Sequence, residues 1–137
     1  MDAPVFEGGC LCGAVRFRAT GAGANRCYCH CRSCRGASGA PFVAWATWPA
    51  AGFAVTRGAL ATHRSSPPVT RGFCAACGTA LTYAHRARPG EIDVVLAALD
   101  DPAAVAPECH IWWSQRLPWV VPGDGLPRYA EWRTPEA

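Results

Sequence analysis

The 137-residue chain is half apolar and 17% charged, with a formal net charge of +3. Its size suits one domain able to bury roughly two thirds of its unfolded surface, and its balance excludes a disordered, charge-rich chain. All thirteen basic residues are arginines scattered singly along the sequence, which argues against a nucleic-acid-binding patch.

In chain order the local signals are mostly β. The opening MDAPVFEGG carries an acid and no apolar run, so no signal peptide is expected. No apolar stretch approaches the roughly 18 residues of a membrane span either, and the chain is read as cytoplasmic, without membrane or nucleic-acid partners. Residues 14–20 (AVRFRAT) alternate apolar and polar, as a half-buried strand does. Residues 32–38 (RSCRGAS) are the one helical signal, about a turn long, and residues 41–48 (PFVAWATW) read as an aromatic strand. Residues 53–58 and 60–66 flank Gly58 as the two arms of a hairpin. Strands are expected on both sides of Cys74 and Cys77, over 70–74 and 79–85, and again over 91–99, where Ile92, Val94 and Val95 favour strand over helix. Pro102 and Pro107 mark a loop, CHIWWSQ (109–115) a short strand, and the Pro- and Gly-rich segment after Trp113 a surface wrap. Trp112, Trp113 and Trp119 are expected to pack in the core.

Nine cysteines are too many for packing alone, and an odd number in a reducing compartment points away from a disulfide framework. Cys10 and Cys12 form C-x-C; on an extended chain both face one side. Cys74 and Cys77 form C-x-x-C followed by Gly78, the spacing of a zinc knuckle. Together they make a four-thiolate set, the usual closed structural zinc site; a redox pair at Cys74 and Cys77 would need a thioredoxin-like βαβ context that is absent.

Cys29, Cys31 and Cys34 converge as C-x-C and C-x-x-C without an obvious fourth ligand. Spacing alone leaves two readings open: a catalytic zinc with a vacant position, or a structural zinc closed by Cys27, Cys109 or a histidine. Cys27 reads better as a buried thiol, and His30, between two ligands, as a supporting group facing the other way. Seven thiolates would take the formal charge from +3 to −4, and two Zn²⁺ would return it to 0.

The stretches GGCLCGAVRF, CYCHCRSCRGASGAPF, GFCAACGTAL and HIWW resemble, in order and spacing, the glutathione-dependent formaldehyde-activating enzyme family, whose domain centromere protein V shares. The resemblance implies a mainly β, β-tent fold of small antiparallel sheets stapled by zinc. It makes residues 1–137 a single domain, with a core over about 7–113 and a wrap over 114–137. It implies two Zn²⁺ per chain, a structural ion on Cys10, Cys12, Cys74 and Cys77 and a catalytic ion on Cys29, Cys31 and Cys34. The activity implied is a carbon–sulfur lyase reaction that joins a small-molecule thiol such as glutathione reversibly to a small aldehyde such as formaldehyde. Arg32 and Arg35, flanking the cluster, are the candidates to grip glutathione carboxylates, and His110 is a further candidate substrate contact. A zinc-stapled binding module without chemistry is the alternative, and a dimer remains open.

Overall fold

The computed structural model describes residues 2–133. Ten strands build two sheets. β1 (Val5–Gly9), β2 (Arg16–Thr20) and β5 (Phe53–Arg57) form the smaller one, with β2 in the centre and both pairings antiparallel. The larger holds β3 (Ala24–Cys29), β4 (Val43–Pro49), β6 (Ala61–Ser66), β7 (Val69–Phe73), β8 (Ala80–His85), β9 (Glu91–Val95) and β10 (His110–Ile111), in the order β10-β3-β4-β9-β8-β7-β6. This is the mainly β, small-sheet architecture expected. Every pairing in it is antiparallel except β10 against β3. The signal at 32–38 is a two-turn helix, α1 (Arg32–Ser38), stopped by Gly39 in the left-handed conformation.

The expected hairpin about Gly58 does not form. β5 pairs with β2 in one sheet and β6 with β7 in the other. Gly58, at φ 70°, is the crossing point between sheets, where a Cβ would collide with the Ala14 carbonyl oxygen. Turn chemistry alone does not separate a hairpin from a change of sheet. The strand expected over 91–99 ends at Val95 and passes into a 3₁₀ turn, and the CHIWWSQ strand shrinks to His110–Ile111.

β4 serves two cores because its side chains alternate. Ala46 and Trp48 point between the sheets to meet Phe17, Ala19, Leu81, Val94 and Leu99. Val43 and Trp45 point the other way, toward Cys27, Cys29, Cys34 and Ile111. Trp48 is fully buried, donates its indole N–H to the Gly21 carbonyl at 2.9 Å, and meets Phe6 edge-on. Trp48→Ala is expected to cost about 3–5 kcal/mol in urea denaturation, from the cavity and the orphaned carbonyl together, with metal content unchanged.

Among the described residues no helix is long and apolar enough to cross a membrane.

Candidate functional site

The first cysteine set lies where the sheets meet. Cys10 and Cys12 sit on the turn leaving β1, and Cys74 and Cys77 on the turn between β7 and β8. The two turns are built alike. Gly13 N–H returns to the Cys10 carbonyl (3.1 Å) and Gly78 N–H to the Cys74 carbonyl (2.8 Å), with φ of 78° and 80°. Backbone N–H groups also point at sulfur: Val15 to Cys10 Sγ at 3.2 Å and Cys77 to Cys74 Sγ at 3.4 Å. So the C-x-C pair converges through a turn rather than through an extended strand.

Sγ of Cys10 and Cys12 are 3.6 Å apart and those of Cys12 and Cys74 3.8 Å, and all four lie within 4.8 Å of one another. Four sulfurs about 2.3 Å from a zinc ion stand about 3.8 Å apart along a tetrahedral edge, so this set fits a closed metal site. Cys10 and Cys74 are buried in the inter-sheet core, while Cys12 and Cys77 face solvent. Ionisation is split here: against the lowering pull of the Ala14 amide, the Cys10 and Cys77 sulfurs push Cys12 up to about 11, while two others are held down. The Thr79 hydroxyl at 3.1 Å holds Cys77 down to about 5, and the Val15 amide lowers Cys10.

The second set forms at the start of α1. Cys29 ends β3, Cys31 caps the helix by accepting the Cys34 N–H at 3.3 Å, and Cys34 lies in the first turn. The three sulfurs fall within 4.8 Å of one another, and no further cysteine, histidine or carboxylate among the described residues joins them. Their ionisation is split. Hydrogen bonding from Cys29 and then Cys34 drives the Cys31 thiol far below its ordinary value, while the same bond to Cys31 drives Cys29 far above. Sulfurs this close hold protons between them unless a cation allows all three to ionise. That donor chemistry fits a metal ion.

Cys27 shares the face of Cys29 but stands outside the set; it is a buried thiol that desolvation pushes upward. Cys109 is buried likewise, against the Arg26 carbonyl.

His30 faces away from the cluster and is fully buried. Its Nε2 lies 2.8 Å from His110 Nδ1, and His110 Nε2 lies 2.8 Å from Asp124 Oδ2. The Leu126 amide and then His110 keep Asp124 ionised, so His110 Nε2 donates to it, and His110 Nδ1 and His30 Nε2 share one hydrogen bond. Burial, reinforced by His110, holds His30 down to about 4. Trp113 meets both imidazoles edge-on. His110 therefore joins this chain behind the cluster, with both ring nitrogens engaged. Asp124 escaped sequence reading because nothing in a Pro- and Gly-rich tail marks its lone aspartate as the partner of a histidine.

The three sulfurs open on a cleft of about 1770 Å³ between α1 and the face of the large sheet turned away from the small one. Arg32 and Arg35 do not line it. They border a separate depression with Leu117 and Trp119, and Arg35 donates to the His30 and Gln115 carbonyls. Of the tryptophans expected in the core, Trp112 lines the cleft, Trp113 packs on the histidines, and Trp119 is 70% exposed.

Such a framework, with one thiol set at the junction of the sheets and another facing a cleft, defines a class of small β proteins built around cysteine sets able to hold metal ions. Residues 5–115 match the glutathione-dependent formaldehyde-activating enzyme family, and the chain belongs to it. It is 32% identical over 82 residues to an uncharacterized lyase of Schizosaccharomyces pombe, a match spanning 60% of this chain and 59% of that protein. A crystal structure of a Rhodobacter sphaeroides protein superposes with a TM-score of 0.59 at 26% identity, covering 90% of this chain and 98% of that one.

Proposed function

We propose that this chain is a zinc-dependent carbon–sulfur lyase that adds a thiol reversibly to a small aldehyde, glutathione and formaldehyde being the pair its family suggests. The observation that carries the reading is the asymmetry of the two cysteine sets. Cys10, Cys12, Cys74 and Cys77 provide four donors away from the cleft; Cys29, Cys31 and Cys34 provide three at its wall. Three protein donors with a free position characterise catalytic zinc, and four characterise structural zinc. The thiols of both sets fit a reducing, cytoplasmic setting.

A zinc ion held by the three-cysteine set would favour the deprotonated form of an incoming thiol, supplying a nucleophile near neutral pH. The chain's own residues supply the rest. The cleft wall brings thiol and aldehyde together beside the three sulfurs. The thiol sulfur forms a bond to the carbonyl carbon, the carbonyl π pair moves to oxygen, and the thiol's proton ends there, giving the S-hydroxymethyl product; the reverse sequence cleaves it. Behind the cluster, the Asp124–His110–His30 chain fixes the residue between Cys29 and Cys31, so the sulfurs are held in place before substrate arrives.

The test is the zinc-loaded full chain with glutathione and formaldehyde, following exchange of the S-hydroxymethyl adduct by NMR. The expected result is exchange well above the uncatalysed rate, with two zinc per chain. No acceleration, together with both ions fully ligated by protein, would make the chain a zinc-stapled binding module instead.

A further inference from the structure

The strand register of the large sheet sets a line of polar side chains across the cleft floor. Thr47 on β4 pairs with Asp93 on β9, Asp93 with Tyr83 on β8, Tyr83 with Arg71 on β7, and Arg71 with His63 on β6. All five line the cleft. Paired positions share a face of the sheet, so five separate strands contribute to one continuous polar row that runs up to the three-cysteine set.

The charges in this row are not equally satisfied. Asp93 accepts from the Thr47 hydroxyl at 2.6 Å and from Arg88 at 3.0 Å, and Arg88 also binds Glu91. Arg71 has no carboxylate within ion-pair distance among the described residues. Its guanidinium lies over the Tyr83 ring, 5.0 Å from the centroid. Nε donates to the Ser65 hydroxyl at 3.2 Å, and Nη2 reaches Cys34 Sγ at 3.9 Å. These contacts occupy the side edge of the fork and fix its plane. Of the five N–H donors of an arginine, three remain, and they include one from each Nη, the end edge that grips a carboxylate through two parallel bonds. A half-buried cation in a cleft, oriented by a ring and a hydroxyl and paired with no carboxylate, can receive an anion beside the Cys34 sulfur.

We propose that Arg71 is the specificity-determining residue of the cleft: it takes a carboxylate of the substrate thiol and so orients the sulfur beside Cys29, Cys31 and Cys34. The assignment rests on the thiol–aldehyde reading for the identity of the bound molecule. It replaces Arg32 and Arg35, which the fold places outside the cleft.

The experiment compares wild type, Arg71→Met and Arg71→Lys, each as the full zinc-loaded chain with metal content and near-UV circular dichroism checked. Binding of 3-mercaptopropionate and of uncharged 2-mercaptoethanol is measured by calorimetry, and turnover of each with formaldehyde by NMR. In wild type the acid binds more tightly. Arg71→Met is expected to weaken acid binding about ten- to hundred-fold, the loss of a charged hydrogen-bonded pair, and to weaken 2-mercaptoethanol binding by a much smaller factor. Arg71→Lys is expected to recover part of the difference. Equal losses for both thiols would overturn the assignment, since they would place Arg71's charge on the reacting oxygen or in the architecture. Unchanged acid binding in Arg71→Met would overturn it too. If wild type turns over neither thiol but binds 3-mercaptopropionate in an Arg71-dependent way, the anion site stands and the lyase reading falls.

Discussion

Cys74→Ser is expected to yield a chain that loses cooperative folding. Cys74 is 1% exposed, lies in the inter-sheet core, and belongs to the set that joins the turn after β1 to the turn between β7 and β8. Structural zinc contributes about 10–16 kcal/mol of apparent binding free energy near neutral pH, against a net stability of about 5–15 kcal/mol for a typical domain. A serine hydroxyl is a poor replacement for one of four thiolates. The remaining three are then left close together with a weakened ion, and their mutual repulsion favours opening. Collapse of near-UV circular dichroism and loss of a sigmoidal urea transition are the expected signs. A strong chelator applied to wild type should give the same result. A Cys74→Ser chain that unfolds like wild type would show that this set is not the staple.

Cys29→Ser should do the opposite: the fold remains and turnover disappears. Cys29 ends β3, where the ladder to Val43 and the parallel pairing to Ile111 are backbone interactions that a serine preserves. What changes is one of three donors at the cleft. A zinc ion held there would contribute several kcal/mol to the proposed transition state, so with it lost or misplaced the rate of thiol–aldehyde exchange should fall at least about a hundred-fold. Zinc content should drop from two to one per chain, with the urea midpoint shifted only modestly. If Cys29→Ser and Cys74→Ser proved equally unfolded, the division into a supporting and a reacting site would fail.

Both cysteine sets are legible in the sequence because ligand spacing is a local property. C-x-C and C-x-x-C bring sulfurs together within a few residues, whatever the rest of the chain does. The strands around them are legible for a similar reason, since RFRAT alternates with two-residue periodicity and VAWATW is an apolar, aromatic run that favours strand. What local pattern cannot convey is which strand lies beside which. Gly58 reads as a hairpin turn and proves to be a passage between sheets. Arg71 looks like any isolated arginine until β7 is set between β6 and β8, and Asp124 like any loop acid until the tail folds back on His110. Arg32 and Arg35 show the converse case. They are neighbours of the cluster along the chain, but α1 turns them to its far side, because Cys34 must face inward and residues two before and one after it point elsewhere on a helix.

β4 is a partition between two independent environments. Its even-numbered side chains hold the sheets together and its odd-numbered ones wall the cleft. Natural variation can therefore reshape the chamber at positions 43, 45 and 47 while 46 and 48 stay constant. Descendants of one scaffold could diverge in what they accept without renegotiating what keeps them folded.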